Sequence, residues 1–163
     1  MNKLRWLLAF TGGGLTGAAV GFAFGIFAYP YLFLADIVAT ERVERPEARK
    51  VLARGSFVHA DPSDPIHYGK GGVTIYEGLL HLEPDFEVGP GPKFHVYLVP
   101  EREVVPSTDV ERTMFVDLGR LKAFKGSQNF EVPAGVEIAR YGNVVIWCEQ
   151  FGVLISPAAL RHE

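Results

Sequence analysis

The stretch that best indicates the fold is NVVIWCE, residues 143–149. Its five central residues, 144–148, are all apolar, so both faces of an extended strand here would carry apolar side chains. Such a strand is typical of the centre of a sheet that is covered on both sides. Because side chains alternate along a strand, we expect Cys148 on the same face as Val144 and Ile146. The stretch therefore predicts a buried central strand that carries the cysteine.

The sequence on either side of this strand predicts more short strands. In residues 93–100, Phe94, Val96 and Leu98 occupy alternate positions and give one strongly apolar face. The predicted strands are 52–59, 72–82, 93–100, 113–118, 129–132, 143–149 and 152–156. Clusters of Gly, Pro and Asp separate them, as turns require. Roughly seven short strands at this spacing predict an all-β fold, specifically an antiparallel β-sandwich.

The N-terminal part of the chain differs from the rest in its apolar, uncharged composition. Residues 6–35 contain no charged side chain, and this run exceeds the roughly 20 residues needed to cross a bilayer. A cleaved signal peptide is the alternative, with 17–19 as its small-residue site, but the apolar run continues past that point. Lys3 and Arg5 precede the run, which predicts a cytoplasmic N-terminus. We therefore expect residues 1–40 to be a single-pass transmembrane anchor, with the following domain periplasmic or extracellular.

Glycines recur every fourth residue within the predicted anchor. They are Gly13, Gly17, Gly21 and Gly25. A smooth helix face of this kind lets another transmembrane helix approach closely, although glycine is also generally common in membrane helices. The partner would be a second copy of the chain or a subunit of a larger membrane complex. After the anchor, residues 41–51 predict a charged linker, and residues 52–162 the β domain.

Composition excludes several classes of function. The formal net charge is −3 and the basic residues do not cluster, so a nucleic-acid surface is not expected. The chain has one cysteine, which rules out an intramolecular disulfide, a C-x-x-C redox pair and a thiolate zinc site.

The single cysteine, Cys148, has two interpretations. A free cysteine often behaves as a small buried hydrophobe. A redox thiol would need partial exposure and positive charge nearby, whereas the adjacent Glu149 would raise the thiol pKa. An exposed unpaired thiol outside the cytoplasm is prone to oxidation. Cys148 is therefore expected to be either well buried or functional.

A loop with two histidines and two aspartates contains candidate metal ligands. His59 and His67 bracket Asp61 and Asp64, but their spacing matches no metal motif, and Asp-Pro turns explain the aspartates. We predict no metal site.

Haem ligation has only weak candidates. His81 and His95 lie within predicted strands, and Met114 could serve as an axial ligand. Hydrogen-bonded strand histidines are the simpler explanation, so the cofactor stays unknown, with haem weakly supported.

An ordered series of short stretches resembles the DM13 domain, which occurs in animal extracellular proteins and in membrane-anchored bacterial ones. The matching stretches lie within residues 54–160, at 55–57, 71–76, 82–86, 92–98, 118–122, 126–130, 141–148 and 158–160. The resemblance implies a β-sandwich related to DOMON domains. It also implies a redox or electron-transfer role centred on the family's cysteine, which aligns with Cys148. DOMON relatives bind haem or sugars, but no ligand pair in this sequence matches theirs.

Two functions are therefore expected, and they are compatible. The first is a membrane-anchored extracytoplasmic redox or electron-transfer accessory module, in which Cys148 reacts with an external thiol or redox partner. The second is a non-catalytic assembly or capping subunit that docks into a larger membrane complex through the glycine face of its helix. The sequence does not decide whether the protein is an enzyme.

Overall fold

The computed structural model describes residues 3–163 and begins with one long helix. This helix, α1, spans Lys3–Tyr29 and continues as a π-helical turn over Pro30–Leu34. Lys3–Leu34 is the one helical stretch, among the described residues, that is long and apolar enough to cross a membrane, and its apolar window is only 6% buried. Residues 1 and 2 of the predicted anchor lie outside the described part of the chain.

The rest of the chain is mainly β-structure. The strands are β1 (Val38–Thr40), β2 (Val51–Phe57), β3 (Gly69–Tyr76), β4 (Leu79–Leu82), β5 (Glu87–Val88), β6 (Phe94–Val99), β7 (Val116–Arg120), β8 (Lys125–Glu131), β9 (Asn143–Cys148) and β10 (Val153–His162). The predicted fold class, all-β with one N-terminal helix, is confirmed. The pairing runs through one ten-stranded sheet in the order β1-β8-β4-β3-β2-β10-β9-β6-β7, with β5 pairing with β3 and β8. The division into two packed sheets stays a prediction.

The strand that carries the cysteine is central, as predicted. β9 lies between β10 and β6, and all six of its residues are buried. Val144, Ile146 and Cys148 face the main core of the sheet, whereas Val145 and Trp147 face a second, smaller core. Apolar side chains on both faces thus keep β9 out of water on both sides.

Besides the two-residue strand β5, four features of the sheet differ from the predicted strands. Residues 72–82 form a hairpin, β3–β4, because Gly78 adopts a left-handed conformation (φ 75°) in a tight turn. β8 begins at Lys125, so residues 126 and 127 lie in a strand instead of a turn. β10 continues to His162, past Pro157, and pairs with both β2 and β9.

The fourth difference is β1, a short strand that follows the helix and pairs in parallel with β8. Gly126 permits this close approach, since its φ is 84° and a Cβ there would meet the carbonyl oxygen of Ala39. Just after β1, the Glu41 carboxylate accepts hydrogen bonds from the Lys122 ammonium at 2.8 Å and from the Asn129 backbone N–H at 2.7 Å. These contacts tie the segment after the helix to the β domain.

Candidate functional site

Cys148 is the last residue of β9 and is almost fully buried, with 1% of its surface exposed. It lies directly opposite Phe94 in β6 and opposite Val153 in β10. Its thiol Sγ donates a hydrogen bond of 3.2 Å to the carbonyl oxygen of Pro92. The thiol is therefore enclosed by two neighbouring strands and by the chain segment that contains Pro92.

That segment, residues 89–93, is named the cover loop here because its Pro92 carbonyl lies against the thiol. A Cβ at Gly91 would collide with the ring of Phe94, so the loop lies directly on the first residue of β6. Lys93 ends the loop in a left-handed conformation with a φ of 51°, which is uncommon for a residue with a side chain. The cover loop is thus closely fitted to the strand beside Cys148.

An ion pair holds the end of the cover loop to the turn after β9. The Lys93 ammonium lies 2.9 Å from the Glu149 carboxylate, and the Glu149 backbone N–H donates to the Lys93 carbonyl oxygen at 3.2 Å. The pair is partly exposed, with 52% of the Lys93 side chain and 23% of the Glu149 side chain accessible. The hydrogen bond from Lys93 lowers the pKa of the Glu149 carboxyl, and a second hydrogen bond from Tyr97 adds to the effect.

The electrostatic setting of Cys148 favours the protonated thiol. Burial raises its pKa, and the negative charge of Glu149 adds to the effect, as the sequence predicts. The backbone N–H groups of Phe151 and Gln150 act in the opposite direction but do not reverse the shift. The resting thiol is therefore covered and held mainly in its protonated form at neutral pH.

A polar cluster lies on the other face of the sheet, at the same end of β9. The side chains of His95 in β6, Asp117 in β7 and Glu149 bring their donor atoms within 4.8 Å of one another. His95 Nδ1 is 3.0 Å from Asp117 Oδ2 and 3.4 Å from Glu149 Oε1. The Tyr97 hydroxyl donates to Glu149 Oε1 at 2.8 Å. These residues are called the His95 cluster below.

Aromatic rings adjoin the His95 cluster. Tyr97 stacks on Phe115 with a centroid distance of 4.4 Å, and burial, followed by the hydrogen bond to Glu149, raises the pKa of its phenol. The indole Nε1 of Trp147 donates to Glu111 at 3.2 Å. Trp147 thus packs the smaller core and has its one polar atom satisfied.

Local hydrogen bonds engage the candidate metal ligands in the loop that contains His59, Asp61, Asp64 and His67. His59 Nε2 lies 2.7 Å from the carbonyl oxygen of Asp64, and the hydrogen bond from His67 lowers the pKa of the Asp64 carboxyl to about 2. Asp61 caps its own turn by accepting from Ser63. Among the described residues, this loop does not assemble three metal-ligand atoms.

The haem-ligand candidates are not brought together either. His81 is buried in β4, with its Nδ1 2.6 Å from Asn129 Oδ1. His95 lies in the polar cluster, and the Met114 side chain is 86% exposed. The sequence does not predict the His95 cluster, because Asp117 and Glu149 are distant from His95 in the chain and only strand pairing brings them together.

Two features of α1 are relevant to function: its glycine face and its end beside the β domain. A Cβ at Gly13, Gly17, Gly21 or Gly25 would meet nothing within 4 Å, so no described residue covers this face. Near its other end, a groove of about 420 Å³ runs between α1 and the β domain. Tyr29 and Leu34 line one wall, and Gly91 and Pro92 of the cover loop line the other. The cover loop, and Cys148 beneath it, therefore lie beside the end of the helix.

Comparison with known protein families gives a match. The sequence model of a family described as "Electron transfer DM13" matches residues 63–160, which is more than half of the 163-residue chain. The match includes β3 to β9, the His95 cluster and Cys148, and it leaves out α1, β1 and β2. No curated protein and no solved structure shows significant similarity to the chain.

Proposed function

This chain belongs to the DM13 family, which is described as an electron-transfer family, and from that premise we propose that it is a membrane-anchored, outward-facing redox module. Electron transfer is the general function that the family description supports. The finer proposal is that Cys148 is the group that changes oxidation state. The observation that carries it is the position of the thiol, which donates to Pro92 of the cover loop beside the end of α1.

The chemistry available to one thiol is exchange with a disulfide of a partner protein. The Cys148 thiolate attacks one sulfur of the partner's S–S bond, that bond breaks, and the released thiolate takes up the proton that Cys148 loses. An external thiol then attacks the Cys148 sulfur of the mixed disulfide and releases the partner's second thiol, so the partner is fully reduced and Cys148 is joined to the external thiol. A second external thiol attacks the sulfur of the first, which returns Cys148 to its reduced form and leaves the two external thiols joined as a disulfide. Two electrons thereby pass from two external thiols to the partner's disulfide, and the chain itself needs no second cysteine.

Access to Cys148 requires movement of the cover loop. Its Pro92 carbonyl has to leave the thiol, and the Lys93–Glu149 ion pair opposes that movement. A partly exposed pair of this kind contributes about 0.2–1 kcal/mol. Weakening it should therefore raise the population of the open loop modestly without unfolding the domain.

The test is the rate at which full-length, detergent-solubilised protein reacts with a small aromatic disulfide. Each reaction releases one coloured aryl thiolate, and mass spectrometry identifies Cys148 as the modified residue. We expect Lys93→Gln to raise the rate about two- to fivefold, since it removes the ion pair that holds the loop.

Arg54→Gln is the matched control, because Arg54 forms a partly exposed ion pair with Glu163 at 2.9 Å. Arg54 lies opposite Arg161, near the end of β10 that is distant from the pairing of Val153 with Cys148. This variant should react at the wild-type rate. Equal rates for all three proteins, or reaction only after denaturation, would contradict a loop-gated redox thiol.

A second candidate function is an assembly subunit without redox chemistry. Two observations favour it: Cys148 is buried within the main core, and no described residue covers the glycine face of α1. In this alternative the helix packs against another transmembrane helix, and the β domain caps the resulting complex. Absence of disulfide exchange together with stable association through α1 would support it.

A further inference from the structure

The His95 cluster has the composition of a metal-ligand set. It combines one imidazole and two carboxylates from three separate chain positions: His95 in β6, Asp117 in β7 and Glu149 just after β9. The side chains are 15%, 39% and 23% exposed, so the site lies at the surface but is not fully solvated. One imidazole with two carboxylates is a donor set that divalent first-row transition-metal ions accept.

The spacing of the donor atoms is the second observation. Ligands bound about 2.1 Å from one ion lie about 3.0 Å apart at a right angle and about 3.4 Å apart at a tetrahedral angle. His95 Nδ1 is 3.0 Å from Asp117 Oδ2 and 3.4 Å from Glu149 Oε1. Two of the three donor pairs are therefore at the distances that a shared ion requires, and the third pair, Asp117 and Glu149, lies within 4.8 Å.

The surroundings orient both carboxylates, so that Asp117 Oδ2 and Glu149 Oε1 lie near His95 Nδ1, with Glu149 Oε1 also accepting from Tyr97. The Gly119 backbone N–H donates to Asp117 Oδ1 at 2.8 Å, and the Tyr97 hydroxyl donates to Glu149 Oε1 at 2.8 Å. Outer contacts of this type fix the direction of metal ligands and raise their basicity. The strands β6, β7 and β9 supply a rigid base for all of these groups.

The charge balance favours a cation but includes one competitor. Asp117 and Glu149 together contribute two negative charges, and the Lys93 ammonium, 2.9 Å from Glu149 Oε2, offsets one of them. With His95 neutral, the site therefore has a net charge of −1. Removing the charge of Lys93 should strengthen the attraction for a divalent ion.

We propose that His95, Asp117 and Glu149 bind one divalent first-row transition-metal ion. The ligand atoms are His95 Nδ1, Asp117 Oδ2 and Glu149 Oε1, and water completes the coordination. This site goes beyond the proposed function, because it lies on the opposite face of the sheet from Cys148 and does not require the thiol to react.

The probe is Co²⁺, because its visible absorption reports the ligands and their geometry. Full-length protein without a histidine tag, carrying Cys148→Ser to remove the thiol, is titrated in detergent by absorption and by calorimetry. We expect one Co²⁺ per chain, with His95→Ala and Asp117→Asn each weakening binding about tenfold or more. Lys93→Gln should strengthen it several-fold.

His67→Ala is the matched control, because His67 forms a pair with Asp64 that has no third ligand within the described part of the chain. It should leave Co²⁺ binding unchanged, and circular dichroism confirms that every variant is folded. The proposal is overturned if Co²⁺ gives no saturable spectrum, if the isosteric Asp117→Asn binds as tightly as its parent, or if His67→Ala weakens binding as much as His95→Ala.

Discussion

Cys148 and Glu149 are consecutive in the chain but belong to different environments. The thiol points into the main core and donates to Pro92, whereas the carboxylate points to the opposite face and contacts Tyr97 and Lys93. The alternation of side chains along a strand causes this separation. One residue step thus moves from an apolar, enclosed thiol to a polar, partly solvated cluster. Glu149 connects the two sites, because it also forms the ion pair with Lys93 of the cover loop.

The raised pKa of Cys148 leads to a prediction about pH. Thiolate is the reacting species, and an ordinary cysteine is largely thiolate above about pH 8.5. Because burial and Glu149 raise the pKa of Cys148, its rate of disulfide exchange should keep rising about tenfold per pH unit beyond that point. The measurement is the exchange rate from pH 7 to 10 in the folded full-length protein.

The shape of the pH–rate profile also distinguishes an effect on the pKa of the thiol from an effect on access to the thiol. Lys93→Gln should shift the whole curve to higher rates and leave its inflection in place, since Lys93 acts on the loop and not directly on the thiol. A plateau at or below pH 8.5 would contradict the burial argument and would indicate a stabilised thiolate.

At the level of single residues, only part of the candidate site was predictable from the sequence. It predicted the face of Cys148 and the unfavourable effect of Glu149, because both follow from alternation and adjacency. The sequence did not predict the contact of Cys148 with Pro92 or the proximity of His95 to Asp117, because both depend on how strands pair. No fixed spacing in the chain encodes such contacts.

Among the elements, those with a strong local pattern were predictable. The apolar run of α1, the alternation in β6 and the doubly apolar β9 all appear where the sequence placed them. The two-residue strand β5 and the parallel strand β1 were not predictable, because neighbours stabilise them and their own residues show no periodicity. The hairpin β3–β4 was missed because one glycine, Gly78, is a weak turn signal by itself.

The uncovered glycine face of α1 leads to a prediction at this scale. A leucine at Gly17 or Gly21 would hold a partner helix away and remove close backbone packing, so self-association or complex formation should decrease. Ala19→Leu is the control, since it adds a side chain of the same size about half a turn away from both glycines. The measurement is the apparent mass of the full-length protein, or of its complex, in mild detergent.

Two outcomes would contradict a packing role for this face. In one, Ala19→Leu disrupts association as much as Gly21→Leu does, which would indicate that added bulk anywhere on the helix is sufficient. In the other, the unaltered protein runs as a monomer both alone and after solubilisation from its native membrane.

Considered as a whole, the molecule places its candidate chemistry at one end. The cover loop shares a groove with the end of α1, and β1 joins the sheet immediately after the helix. Tyr29 and Tyr31 lie at this junction, where aromatic side chains suit the membrane interface. The chain thus holds Cys148 close to where the helix would leave a bilayer, and an electron-transfer partner in the membrane would be within reach.

This arrangement predicts that the domain faces the bilayer with its Arg120 end. Arg120 is exposed and lines the groove beside α1, whereas Glu77 lies in the turn between β3 and β4. β8 separates the two ends: Lys125 pairs with Val38 close to the helix, and Glu131 pairs with Leu79, about 20 Å further along the strand.

The measurement compares two fluorophore-labelled proteins in lipid nanodiscs, both in a Cys148→Ser background. One carries the label at Arg120→Cys and the other at Glu77→Cys. Quencher-labelled lipid headgroups should dim the label at position 120 strongly and the label at position 77 weakly. Equal quenching, or stronger quenching at position 77, would mean that the domain tilts its cover loop away from the membrane, and the electron partner would then have to approach from solution.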